Sequence, residues 1–161
     1  MAAALLFAAR AQTVAAADEP APGPIEQTIH ASAGGATTPD GSMPDDSVSC
    51  TFRAEKPNYS GSKMTGVGGI KSCTPHAPFS CNSESEIEWY NPGPGRWLTV
   101  AQSNTQHQCP PPYRTTTAAY ACEYRSSDPL YSYRTRVIGS IFYGETQSAD
   151  VSGQILQVRC L

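Results

Sequence analysis

The chain has 161 residues, of which 39% are hydrophobic and only 16% charged, and its formal net charge is −3. That length suits one domain with appendages rather than two ordinary domains. The mildly acidic balance gives no reason to expect nucleic acid or an anionic membrane surface as a partner.

Residues 1–17 read as a signal peptide. Ala2 to Ala9 (AAALLFAA) is an apolar run of the length of a signal-peptide core and far too short to span a bilayer. Two small-x-small cleavage patterns follow, Ala9-Arg10-Ala11 and Ala15-Ala16-Ala17. Cleavage after Ala17 is preferred and would leave Asp18 as the mature terminus. The basic stretch that usually precedes such a core is missing, which fits a start upstream of Met1. The expected localisation is secreted and extracellular.

Residues 18–46 form a separate compositional block with six Asp or Glu, five Pro, four Gly and no Lys or Arg. Too few apolar groups are present to offset ordering entropy, so the expectation is an acidic, flexible extension. Within it, Ile25-Glu26-Gln27-Thr28-Ile29-His30 has strand-like alternation: Ile25, Gln27 and Ile29 can face one way, and Glu26, Thr28 and His30 the other. Pro24, Ile25, Glu26, Gln27, Thr28, Ile29 and His30 are therefore the candidate partner-binding segment, a tethered ligand that folds in a partner's groove or on a sheet edge.

Residues 47–161 hold ten Lys or Arg and eight Asp or Glu, and read as short strands between turns. Candidate strands are 47–53, 63–72, 85–90, 97–103, 113–124, 130–143 and 154–160. In Ser85–Tyr90 (SEIEWY), Ile87 and Trp89 share a core face while Glu86, Glu88 and Tyr90 share the other. Asn91–Gly95 (NPGPG) is a strong turn, and the CPPP run at 109–112 must be a loop or an edge. The predicted fold is all-β: a disulfide-braced antiparallel β-sandwich, immunoglobulin-like, of about seven strands, with the extension before it.

Six cysteines allow fifteen pairings, and sequence alone selects none of them. If 113–124 is one extended strand, Cys109 and Cys122 lie at opposite ends of it and cannot meet within the ~7 Å that a disulfide needs. If the strands also alternate up and down, the consistent solution is Cys50–Cys73, Cys81–Cys109 and Cys122–Cys160.

The chain has no Gly-x-Ser-x-Gly elbow, no His-Glu-x-x-His and no Gly-rich phosphate loop. His30 lies in the extension, and His76 and His107 lie in predicted loops. Cys73, His76 and Cys81 could in principle hold zinc, but prolines interrupt their spacing, and disulfides suit an oxidising compartment better. Glu84, Glu86 and Glu88 read as a solvated strand face rather than an acid/base pair. The expectation is a non-catalytic protein without metal or cofactor. Trp89, Tyr90, Trp97 and the later tyrosines are candidates for an interface where they are exposed.

The layout of a signal peptide, a Pro/Gly/acidic extension and a cysteine-stapled sandwich opening on SVSCTF and closing on ILQVRC resembles small secreted β-sandwich proteins of actinobacteria. Among these it resembles the adaptor subunits of the umbrella toxin particles of Streptomyces. The resemblance implies an adaptor in an extracellular antibacterial hetero-oligomer, linking a repeat-containing polymorphic toxin to a lectin-like subunit of trypsin-type fold. It also implies that the extension, above all Pro24 to His30, enters a cleft of the lectin-like subunit. Two other classes fit the sequence: a secreted protease inhibitor presenting a rigid, disulfide-braced loop such as Asn91–Arg96, with Arg96 as recognition residue, and a carbohydrate-binding module using Trp89 or Trp97.

Overall fold

The computed structural model describes residues 23–33 and 46–160. Ten strands follow in chain order: β1 (Ile25–Ser32), β2 (Ser47–Ala54), β3 (Asn58–Tyr59), β4 (Lys63–Thr74), β5 (Ser80–Asn91), β6 (Arg96–Gln102), β7 (Arg114–Ala121), β8 (Tyr131–Tyr143), β9 (Glu145–Ser152) and β10 (Leu156–Val158). Among the described residues there is no helix. The first sheet runs β1-β2-β4, with β7 on the far flank of β4 and the short β3 continuing the β2 flank. The second runs β6-β5-β8, with β9 and β10 sharing the remaining flank of β8. All pairings between strands are antiparallel. The two sheets pack as the expected sandwich, with ten strands in place of about seven, because β1, β3 and β9 lie outside the predicted set.

β1 corrects the expected domain boundary. Ile25 to Ser32 pairs residue for residue with β2, from Ile25 opposite Ala54 to Ser32 opposite Ser47. The body therefore begins well before residue 47, and Ile25 to His30 belongs to it rather than to a flexible extension. The alternation was read correctly, but its partner is the chain's own β2. Ile29 and Ala31 turn inward and are buried, while Ile25, also on that row, stays exposed. Outside, Thr28 Oγ1 lies 3.0 Å from Thr51 Oγ1, His30 Nδ1 lies 2.6 Å from Ser49 Oγ, and Lys71 Nζ donates to Glu26 at 2.9 Å. β1 is also tied to β9 of the opposite sheet: the Asp150 amide donates to Gln27 Oε1 at 3.0 Å, and the Ser32 amide to Glu145 Oε1 at 3.3 Å. Residues 1–22, which include the predicted signal peptide, and residues 34–45 of the predicted extension lie outside the described residues.

The core has two parts. One gathers Ile29, Val48, Phe52, Ile70, Val137, Ile141 and Val151 around Cys50 and Cys81. The other gathers Met64, Ile87, Ala118 and Tyr133 around Cys122 and Cys160. Between them β5, β7 and β8 present Ser83, Ser85, Thr116 and Thr135, all buried, with Ser85 Oγ 2.7 Å from Thr116 Oγ1. Tyr133, fully buried, donates from its hydroxyl to the Cys160 carbonyl at 2.6 Å, which satisfies the one polar atom its ring brings inside. Burial first, then neighbouring tyrosines, push its phenol well above the usual range.

Three disulfides brace this frame, in the pairing obtained from strand direction. Cys50–Cys73 joins residues directly opposite on β2 and β4, Cys81–Cys109 ties β5 to the loop before β7, and Cys122–Cys160 closes the ends that follow β7 and β10. Each such bridge is typically worth about 2–4 kcal/mol, a large share for a domain this small.

Gly69 sits at the middle of β4, flanked by Arg53 of β2 and Thr115 of β7, with φ near +148°. A Cβ built there would lie 2.0 Å from the Arg114 carbonyl oxygen. No rotamer change relieves a clash with backbone, so the site requires glycine. Gly69→Ala is expected to destabilise by about 2–3 kcal/mol, read as a lower denaturation midpoint with disulfides intact.

Candidate binding face

On β5 and β8 the outward-pointing residues come into register across the second sheet. Glu88 lies opposite Arg134, Glu86 opposite Arg136, Glu84 opposite Ile138, and Asn82 opposite Ser140. β6 adds Gln102 beside Glu86 and Trp97 beside Tyr90, and β9 adds Asp150 beside Ile138 and Ser148 beside Ser140. Period-2 alternation places all of these on one surface, with Ile87, Tyr133 and Val137 beneath.

Two of the carboxylates on this surface, Glu86 and Glu88, are not solvated, contrary to the sequence-based expectation, whereas Glu84 is half-buried and Asp150 exposed. Glu86 and Glu88 are 4% and 5% exposed although they point away from the core. Arg134 Nε donates to Glu88 at 2.6 Å, and Arg136 Nη1 lies 3.3 Å from Glu86 and 3.7 Å from Glu88. Gln102 donates to Glu86 at 2.8 Å. The same Arg136 forms a two-pronged pair with Asp150, Nε to Oδ1 at 2.8 Å and Nη2 to Oδ2 at 2.6 Å. That hydrogen bonding, with the positive charge behind it, holds the Asp150 carboxyl below its ordinary range. The guanidinium of Arg134 stacks 4.4 Å above the Trp97 ring, and Tyr90 leans on Trp97 with centroids 5.3 Å apart. The result is a continuous, immobilised strip of aromatic, cationic and anionic groups along the sheet.

Beyond the ion pairs, toward the β8–β9 hairpin, the surface dips into an open groove of about 430 Å³ lined by Asn82, Glu84, Thr105, Ile138, Ser148 and Asp150. Past the groove stands an aromatic patch. Phe79 is 69% exposed and Phe142 42%, with their rings 6.2 Å apart. Tyr143 lies 4.7 Å from Phe79, and His76 lies 5.2 Å from Tyr143. The patch is held by a backbone bond from the Phe79 amide to the Phe142 carbonyl at 3.0 Å and by the nearby Cys81–Cys109 bridge.

The remaining candidates divide as follows. Trp89 faces inward at the margin of the second core cluster, edge-on to Tyr131, so of the two tryptophans only Trp97 belongs to the outer face. The Asn91–Arg96 turn is closed by the Gly93 amide donating to Asn91 Oδ1 at 3.1 Å, and none of the three disulfides braces it. Cys73 and Cys81 are consumed in different disulfides, which removes the zinc reading of Cys73, His76 and Cys81. Among the described residues no group of three or more His, Cys, Asp or Glu is placed to hold a metal. Ile25 to His30 lies on the other sheet, with Pro24 just before it, and touches the strip at one end, where Gln27 Oε1 accepts the Asp150 amide. Sequence reasoning did not connect Arg134 and Arg136 to Glu86 and Glu88. The available signal was that the two pairs alternate in the same phase on two long strands.

Comparisons with protein-family models, with curated proteins and with solved structures returned no match for this chain.

Proposed function

We propose that this protein is a non-catalytic exported adaptor that joins protein partners in an extracellular antibacterial toxin complex. In that complex, as the resemblance to umbrella toxin adaptors implies, one partner is a repeat-containing polymorphic toxin and the other a lectin-like subunit of trypsin-type fold. The observation that carries an interaction role is the Phe79–Phe142 patch. Two large exposed phenyl rings, carried on backbone held by the Phe79–Phe142 hydrogen bond and the nearby Cys81–Cys109 bridge, are aromatic anchors of the kind on which interfaces rely. Three disulfides support export, since such bridges persist in oxidising compartments. Among the described residues no helix is long and apolar enough to cross a membrane.

In this reading Pro24 to His30 takes part as a seated edge strand. Its outer row, Glu26, Thr28 and His30, is already bonded to β2 and β4, so a partner meets it as part of a surface rather than as a free peptide. The test is co-purification of the two partner subunits with Phe79→Asp and Phe142→Asp variants. Both substitutions are at exposed positions and should leave the denaturation midpoint nearly unchanged. Capture of a partner should fall at least about tenfold, the scale of a central aromatic anchor. Undiminished capture of both subunits by the double variant would remove the patch from the interface.

A further inference from the structure

The groove on the second sheet has a lining that selects a ligand class. Its walls are Asn82, Glu84 and Thr105 on one side and Ser148 and Asp150 on the other, over a floor of Ile138 and Gly139. Several of these groups are fixed in advance. Asn82 donates to Ser140 Oγ at 2.8 Å and accepts the Ser140 amide at 3.0 Å, and Thr105 donates to Glu84 Oε2 at 3.1 Å. Asp150 is clamped by Arg136. Such pre-arranged acceptors cost no reorganisation when a donor arrives.

Charge narrows the choice. Glu84 and Asp150 are the only ionisable groups of the lining, and both are anionic. The nearest cations, Arg134 and Arg136, are engaged with Glu86, Glu88 and Asp150. A phosphate, sulfate or acidic chain would therefore meet the Glu84 carboxylate, bonded only to a neutral hydroxyl, with the neighbouring guanidiniums already taken. A purely apolar ligand would strand the polar walls unpaired. What fits is a neutral molecule with many hydroxyl donors around its rim and a C–H face to lie on Ile138. The groove is also open and aligned with the strands. Arg134, stacked on Trp97, is four residues from Ile138 along β8, about 13 Å at ~3.3 Å per residue, so a chain leaving the groove reaches the Trp97–Tyr90 plates.

We propose that the outer face of the second sheet is a binding site for a neutral glycan chain. One sugar sits in the Asn82/Glu84/Ser148/Asp150 groove and the chain runs along β5 and β8 toward Trp97. This assignment stands apart from the adaptor role, which rests on the aromatic patch and on protein capture.

Titration calorimetry of the full chain against cellohexaose, chitohexaose and xylohexaose, with hexalysine and heparin as charged alternatives, tests it. The expected result is saturable 1:1 binding of at least one neutral hexasaccharide and none of heparin. Ser148→Tyr, which fills the groove from the exposed β9 surface, should weaken that binding at least about tenfold. Glu84→Gln, which keeps the shape and removes the charge, should weaken it only a few-fold. Near-ultraviolet circular dichroism checks that both variants keep the native fold; should Ser148→Tyr fail that check, Trp97→Ala replaces it with the same expected loss for hexasaccharides. Failure of all three sugars to bind, binding of hexalysine in their place, or sugar binding indifferent to these substitutions would each overturn the proposal.

Discussion

A chain lacking residues 18–46 should lose its cooperative fold, whereas one lacking only 1–22 should keep it. The longer deletion removes all eight residues of β1, with Ile29 and Ala31 from the first core cluster, and exposes the edge of β2 over Val48 and Phe52. Burial of an isoleucine is worth roughly 1.5–3 kcal/mol, and the newly wetted flank of β2 adds to that. The total is on the order of 5 kcal/mol, a sum comparable with the whole stability of a small domain. The shorter deletion leaves every contact described here in place, including the β1–β9 bonds through Gln27 and Ser32. Denaturant titration of both truncations with disulfides intact distinguishes them. A native-like midpoint for the longer deletion would return Ile25–His30 to the status of an appendage.

The second large effect is expected at Arg136. Its guanidinium serves Glu86, Glu88 and Asp150 together. Arg136→Ala leaves Glu86 with only neutral partners, Gln102 and Thr99, at a site 4% exposed. Stripping one side of a buried ion pair costs about 3–5 kcal/mol, and the partial exposure of Arg136 places this one near the lower end, about 3 kcal/mol. Arg136→Lys should recover only part of it, because an ammonium cannot make the two-pronged bond to Asp150. The acid limb provides a second reading. Because Asp150 titrates below its ordinary 3.8 in the folded protein, its contribution is complete above that value and is lost as pH falls through the depressed one. Arg136→Ala should therefore flatten the acid-side loss of stability seen by thermal unfolding, as well as lowering the plateau.

Much of the frame was legible in the sequence. All seven predicted strands occur, because their runs of β-branched and aromatic residues lie between Pro- and Gly-rich turns. Strand direction, taken with an up-and-down alternation of the strands, gave the three disulfides. The omissions have physical reasons. β9 (ETQSADVS) buries only Ala149 and Val151, so its inward row carries almost no hydrophobic signal. β5 starts at Ser80 rather than Ser85 because its first inward residues, Cys81, Ser83 and Ser85, are small. The alternation of β1 was legible but its partner was not: the surrounding block, rich in Pro, Gly and acid, carried too few apolar groups to place the segment on the chain's own β2. The outer face was illegible for another reason. Glu86 and Glu88 look like solvent-facing charges until Arg134 and Arg136, about fifty residues later, are laid beside them by the β5–β8 register.

The band of Ser83, Ser85, Thr116 and Thr135 across the middle of the sandwich has a consequence for motion. Oil on one side of it does not interlock with oil on the other, and the halves communicate chiefly through the unbroken backbones of β4, β5 and β8. One half is pinned by Cys122–Cys160, the other by Cys50–Cys73 and Cys81–Cys109. Hydrogen exchange of such a body is expected to show two compartments, each opening at its own free energy. The compartment holding Cys81 and Tyr143 also carries Phe79 and Phe142 on its outside, so a docked partner would quieten that end and leave the other untouched.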